Sequence, residues 1–430
     1  MRRLLLITYA YSPQPFIGAL RPSALARYLP EHGWEAIVLT PRVPGRKGPG
    51  ACVIETGDRD VVQHFKAKFG LNPRLGVHEQ FRLPLATTPN SKLLHTKLID
   101  YLKGLLAYPD TAKGWIPFAV EAVAEFAKRG HVDAILTTSP PESCHIIGAQ
   151  AKKILRCPWV ADFRDLWTQN LAAQPDCFQS LRVRLEKKTL NVADALVTVS
   201  VPWTRRLHER YPAKPIYTIT NGFDPGDFPQ KPQRLTECFS ITYAGALYEG
   251  KRDPSPLLEV LAELVQEQIV QPTDVRVRFY GQVEPWLPPL ISRHQLEELV
   301  ELHGIISRDE VLQQEMESQV LLLLGWGDPK ETGQHTGKLF EYLGARRPVL
   351  AVGGSKGVLT EVLDETKAGI HALSKQQLRE CLIAMYAEFK NDGQVRYRGD
   401  ARSIDKYSCS QMAWRFAAAL NETADGKNEC

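Results

Sequence analysis

Short apolar runs alternate with longer stretches of helical period from one end of the chain to the other. In the first half the runs are Leu4–Tyr11, Ala36–Thr40, Ala134–Ser139, Trp159–Phe163, Ala195–Ser200 and Ile216–Asn221. Between them, Arg21–His32, Ser143–Leu155 and Leu181–Val192 carry apolar residues at helical spacing. The runs are continuous rather than alternating, which means burial on both faces, as in a parallel sheet flanked by helices. Strand, helix, strand at this rhythm predicts a doubly wound α/β domain.

The rhythm stops at Gly222–Glu237, where Pro225, Pro229 and Pro232 interrupt a polar stretch and predict a stiff linker. A second α/β series follows: Phe239–Gly245, Val275–Gly281, Val320–Trp326, Pro348–Gly353 and Gly369–Leu373. A final helix, about Ser410–Leu420, has no strand after it and can pack on either domain. The expected organisation is a Rossmann-like domain over 1–222, a linker over 223–237, a second Rossmann-like domain over 238–407, and a helix and tail over 408–430. Two such halves face a central cleft at the carboxyl ends of their sheets, where α/β folds bind ligands.

The 430 residues are 43% hydrophobic and 24% charged, an ordinary globular balance that excludes disorder, collagen and a pure coiled coil. A net charge of +4 is too slight to argue for nucleic acid. The eight cysteines are scattered without metal-ligand spacing and read as reduced thiols of a cytoplasmic protein. The opening Met1-Arg-Arg-Leu-Leu-Leu-Ile reads as a first buried strand rather than a signal peptide. No apolar stretch approaches the ~18 residues of a spanning helix. Residues 64–113 break the rhythm, with eight Lys/Arg against three acids, a net +5. Leu94, Leu98, Tyr101, Leu102, Leu105 and Leu106 form an apolar stripe there. It predicts either a basic amphipathic helix on an anionic membrane, at its inner face, or a helix packed on its own sheet with a solvated basic side.

The segment richest in chemistry runs from Val320-Leu-Leu-Leu-Leu through Gly-Trp-Gly-Asp-Pro-Lys-Glu-Thr-Gly-Gln to His335-Thr-Gly-Lys-Leu-Phe-Glu-Tyr-Leu-Gly. It reads as a strand, a polar Gly-rich loop and a helix N-capped by Thr336. The first-turn amides of Gly337, Lys338 and Leu339 lack intrahelical acceptors and, with the helix dipole, form an anion site. Lys338 adds a full charge, and Glu341, one turn on, can accept hydrogen bonds from sugar hydroxyls. An anion and a diol about a turn apart describe a nucleotide's phosphate and ribose. A P-loop is excluded because Gly333 to Gly337 leaves three residues rather than four and Leu339 follows the lysine. The dinucleotide fingerprint is absent after the first strand, where only Gly18 lies in the turn.

The stretch from His335 through Glu341 to Arg346-Arg-Pro resembles the donor-site helix of the family-4 nucleotide-sugar glycosyltransferases. Tyr9-Ala-Tyr-Ser-Pro with Gly18 and Arg21-Pro-Ser-Ala-Leu resembles their first strand, glycine loop and helix. Trp159-Val-Ala-Asp-Phe-Arg-Asp-Leu-Trp, Ala195-Leu-Val-Thr-Val-Ser and Thr220-Asn-Gly-Phe-Asp resemble their acceptor-domain motifs, and Tyr243-Ala-Gly-Ala-Leu-Tyr the opening of their donor domain. The resemblance covers nearly the whole chain. It implies the two-domain GT-B fold, with a nucleotide-diphosphate sugar on the C-terminal half, and transfer with retention to a glycan or lipid-linked acceptor in surface polysaccharide or glycolipid assembly. Neither metal nor cofactor is implied. Lys338 and either Arg252 or Lys251 would grip the diphosphate beside Gly245, and Glu341 would hold the ribose. The family's sugar-contacting glutamate falls on Gly333 here, with Glu331 nearby but out of register.

Other candidates each carry a plainer alternative. Arg164 or Asp165, beside Asp162 at a strand end, meets the reacting sugar or acceptor, or else the three anchor the following loop. His145 reads as a structural histidine inside a helix. Asn221-Gly222 turns into the linker, and Gly222 can line the cleft. Gln282 touches the base or is a solvated amide, and Asp58-Arg-Asp60 only superficially matches a metal-binding D-x-D. The alternatives to transfer are a nucleotide-sugar epimerase or hydrolase on the same fold, and a catalytically silent nucleotide-sugar-binding protein.

Overall fold

The structure is a computed structural model and describes residues 1–14, 17–42, 52–60, 104, 108–170, 178–229, 233–248, 250–327, 331, 333–334 and 336–426. The apolar stripe of 94–106 lies outside the described residues except for position 104, and so does His335. The chain divides into two units, Met1–Ile219 with Ala413–Cys430, and Thr220–Met412.

In the first unit the strands are β1 (Arg2–Ile7), β2 (Trp34–Pro41), β3 (Cys52–Thr56), β4 (Ala134–Ser139), β5 (Trp159–Phe163), β6 (Ala195–Thr198) and β7 (Ile216–Thr218). They form one parallel sheet of order β3-β2-β1-β4-β5-β6-β7. Every residue of β4 and β5 is buried, the expected consequence of cover on both faces. Trp115, Trp159 and Trp203 fill the core. The opening segment is thus an interior strand of the sheet, paired with β2 and β4.

The second unit holds β8 (Phe239–Ala244), β9 (Val275–Tyr280), β10 (Val300–Gly304), β11 (Val320–Leu324), β12 (Val349–Val352) and β13 (Gly369–Ala372). Their order is β10-β9-β8-β11-β12-β13, again all parallel. In each sheet the winding reverses once, between β1 and β4 and between β8 and β11. Loops leaving neighbouring strands diverge at such a point and open a crevice at the carboxyl ends.

The last helix is Cys409–Asp425, longer than predicted, and its C-terminal part belongs to the first unit. Phe416 lies under the Arg21 guanidinium at 4.8 Å. Arg2 Nη1 and Trp34 Nε1 each donate to Asn421 Oδ1 at 3.0 Å. Gly222 meets the returning backbone, where the Phe223 N–H donates to Tyr407 O at 3.0 Å and the Cys409 N–H to Phe223 O at 2.8 Å.

Candidate functional site

The site sits at the winding reversal of the second unit. The Gly337–Ala345 helix starts where the sequence predicts, with Thr336 extended at φ −81° and its hydroxyl accepting from the Lys338 N–H at 3.3 Å. The Leu339 N–H donates to Thr336 O at 3.1 Å. This corrects the expectation of three free first-turn amides: among the described residues, only the Gly337 N–H is left without an acceptor. Thr336, Leu339 and Arg252 line a recess with Gly325, Trp326 and Gly353.

Lys338 reaches from its helix to the end of β8. A Cβ on Gly245 would overlap the Lys338 ammonium, and Gly245 has φ +132°, so glycine is demanded twice at that position. The ammonium stands 5.4 Å from the centroid of the Tyr243 ring, a cation–π contact. Arg252, the neighbour in charge, lies 4.9 Å from the Tyr248 ring centroid. Both cations are buried, Lys338 at 6% and Arg252 at 8% exposure. Neither has a carboxylate within ion-pair distance among the described residues. Burial, then the Arg252 charge, pushes the Lys338 ammonium down to about 8, against the pull of Glu341 and Glu315. Of the two alternatives in sequence, Arg252 is the one in the recess. Lys251 is exposed, with Nζ 5.4 Å from the Trp326 ring centroid.

Behind the cations lie acids. Glu341 Oε1 accepts from Arg308 Nη2 at 3.2 Å, and the same nitrogen is 3.0 Å from Asp227 Oδ2. Glu315, on the Arg308–Glu317 helix, is fully buried, and neither of its carboxyl oxygens has a hydrogen-bond partner. Burial, reinforced by Glu341, raises it well above the usual carboxylate range. Sequence reasoning missed Arg308, Asp227 and Glu315, which come from separate segments and carry no local motif. It also missed Gly353-Gly354 in the recess, for which the signal was a Gly pair closing a buried strand beside β11. Glu331 is buried, and its Oε1 accepts from the Gly333 N–H at 3.2 Å, so its carboxylate bends towards the position expected to hold one. Gln282 is exposed and lines a smaller hollow with Gly245, Tyr280 and Leu287.

In the first unit, Asp162 pairs with Arg21, Oδ1 to Nη2 at 2.8 Å and Oδ2 to Nε at 2.9 Å, and accepts from the Thr138 hydroxyl at 2.8 Å. Arg164 spends its guanidinium on the backbone, donating to Ser139 O at 3.1 Å and to the carbonyls of Gly18 and Pro140. It thus ties the start of the Ile17–Tyr28 helix, which follows β1, to the end of β4. The space a Gly18 side chain would need is occupied by that guanidinium. Asp165 is half-buried beside it. His145 is fully buried, its Nδ1 2.7 Å from the Thr137 hydroxyl, and burial holds it neutral, down to about 3. Asp58 accepts from the Tyr9 phenol at 2.6 Å. Among the described residues, no three of His, Cys, Asp and Glu converge as a ligand set, and no helix is long and apolar enough to cross a membrane.

Three solved structures share this architecture over essentially the whole chain. Sucrose-phosphate synthase from Thermosynechococcus elongatus matches at TM-score 0.58 and 15% identity, covering 100% of this chain and 98% of its own. Anabaena HepE in complex with UDP and glucose matches at 0.60 and 16%, covering 98% and 100%. A glycosyltransferase from Rickettsia africae matches at 0.60 and 15%, covering 98% of each. At these identities the likeness is one of fold. No curated protein matches the sequence. Residues 19–222, however, match the glycosyl transferase 4-like domain. That match covers most of the first unit, and the fold of the whole chain is the one these solved glycosyltransferase structures share.

Proposed function

We propose that this protein is a retaining hexosyltransferase, moving a sugar from a nucleoside-diphosphate donor to a glycan or lipid-linked acceptor in surface-polysaccharide or glycolipid assembly. The observation that carries the proposal is the pair of buried cations, Arg252 and Lys338, without a carboxylate partner among the described residues. An uncompensated buried charge costs several kcal/mol, so such a pair suits an anion delivered with the substrate. HepE, of the same fold, was solved with UDP and glucose, which makes uridine the first base to try.

In this reading Lys338, Arg252 and the Gly337 N–H hold the diphosphate, with Lys251 at its edge. Glu341 accepts from the ribose, and Gln282 lies towards the base. As the sugar–phosphate bond breaks, negative charge grows on the leaving diphosphate, and fixed cations gain most at that moment. The donor phosphate takes the proton of the incoming hydroxyl on the same face, which preserves anomeric configuration, with neither metal nor cofactor. Arg164 acts by holding the helix start at Gly18, and Asp165 is the carboxylate offered to the acceptor. Work at the cytoplasmic membrane surface, through 64–113, is the corresponding proposal for location; salt-sensitive pelleting with anionic liposomes tests it.

The enzyme test follows nucleotide release from UDP-, GDP- and ADP-sugars, with and without glycan acceptors, for the wild type, Lys338→Ala and Arg252→Ala. Acceptor-dependent release, lost in both variants, is expected. Donor turnover without acceptor would mean a hydrolase or epimerase, told apart by analysing the products, and binding without turnover a silent binder.

A further inference from the structure

The Arg308–Glu317 helix begins with a capping box. The Ser307 hydroxyl accepts from the Glu310 N–H at 3.3 Å, and Glu310 Oε2 accepts from the Ser307 N–H at 2.9 Å. This fixes Arg308 as the first helical residue, with its guanidinium directed at two carboxylates from two other elements. Asp227, 3.0 Å away, closes the short Pro225–Asp227 turn, itself pinned by the Asp224 side chain accepting from the Gly226 N–H at 2.9 Å. Glu341, 3.2 Å away, stands on the Gly337–Ala345 helix.

We propose that Arg308, anchored by Asp227, is the positioning residue that sets a preference for ribose over deoxyribose at Glu341. The inference rests on the reading of Glu341 as the acceptor of the donor's ribose hydroxyls. A carboxylate accepts from hydroxyls best when ionised, and a neutral acid gives up part of that capacity. Burial drives the Glu341 carboxyl upward, and the Asp227 charge adds to that; Arg308 and Lys338 oppose them. Arg308 takes Oε1, and among the described residues no hydrogen bond is made to Oε2. One held oxygen and one open oxygen define an orientation for a vicinal diol, whereas an unheld carboxylate spends rotamer freedom on binding. Asp227 touches no substrate in this scheme. It holds the guanidinium, which would otherwise swing to solvent, since Arg308 is only partly buried.

The test measures binding of UDP, 2′-deoxy-UDP and 3′-deoxy-UDP by calorimetry to the wild type, Arg308→Met, Arg308→Lys and Asp227→Asn, each checked for cooperative unfolding. The wild type should favour UDP over either deoxy form by about tenfold, the weight of one charge-assisted hydrogen bond. Arg308→Met should bring the three ligands within about threefold of one another by weakening UDP, with the deoxy forms little changed. Arg308→Lys and Asp227→Asn should fall between, because a point charge lacks the fork and an unanchored fork wanders. Equal weakening of all three ligands in Arg308→Met, or an unchanged preference, overturns the inference. If Arg308→Met fails to fold, Asp227→Asn decides by the same ratio. Failure of the wild type to bind UDP, GDP or ADP at all would instead overturn the donor-site reading itself.

Discussion

The ammonium of Lys338 fills the space that a side chain on residue 245 would take. The relation joins the end of β8 to the start of the Gly337–Ala345 helix, and it makes Gly245→Ala a direct probe. The lysine tip is flexible and can retreat, so the variant should fold, losing about 1–2 kcal/mol because alanine is strained at φ +132°. The retreat carries the charge away from Arg252, so the donor KM should rise about tenfold or more, with kcat less affected. Chemical denaturation and initial-rate kinetics read the two effects separately.

Lys338→Met should stabilise the empty protein. The folded state holds an unpaired buried ammonium that titrates near 8 rather than at 10.5. Methionine keeps the packing and removes the desolvated charge, while giving up the contact with Tyr243. The net gain should be about 1–2 kcal/mol at neutral pH, below the ~3 kcal/mol ceiling implied by the shift. Nucleotide-induced stabilisation should disappear in the same variant. Thermal unfolding with and without UDP checks both, and a lower Tm for the empty variant would contradict the account.

The same shift predicts the pH dependence of donor capture. Lys338 must be charged to hold the diphosphate, so kcat/KM for the donor should fall as pH rises through about 8, approaching a tenfold loss per unit. The sign for empty-state stability is opposite. Below 8 the folded protein carries the strained ammonium, and between 8 and 10.5 it sheds that proton before the unfolded chain does. Stability contributed by this residue therefore rises over that window. In Lys338→Arg the guanidinium stays charged throughout, and the alkaline limb of kcat/KM should vanish.

Most strands legible in the sequence are buried on both faces, although the edge strands β7 and β13 are legible too. β4 and β5 have their predicted bounds, and β8, β11 and β12 differ by a residue or two at their ends. The two that pattern reading missed, β3 and β10, are both sheet edges. Each has one buried residue, Thr56 and Val300 respectively, and Glu55, Glu301 and His303 break any apolar run. Such polar positions are tolerated at an edge, and where they interrupt the apolar run the signal is weak. At the site, the helix start at Thr336-Gly-Lys is local and therefore readable. The choice between Lys251 and Arg252 depends on a turn that bonds the Arg252 N–H to Leu247 O at 3.0 Å, which adjacent basic residues do not announce. The Asp227–Arg308–Glu341 array spans 115 positions of numbering and exists only in the fold.

Glu315 offers the last test, because a buried acid with no hydrogen-bond partner is a cost that the site retains. Its folded-state pKa is raised by burial and by Glu341. An acid raised on folding leaves stability intact below its unfolded value, near 4.5, and erodes it as pH climbs from there towards the folded value. Glu315→Gln removes that erosion. The variant and the wild type should therefore have nearly equal stability at pH 4.5, with the variant gaining steadily to about 1–3 kcal/mol by pH 7. Denaturant unfolding of both proteins across that range gives the difference directly. A constant offset would mean that Glu315 is paired and ionised in the folded protein, and the acid behind Lys338 would then be a counter-charge rather than a neutral group.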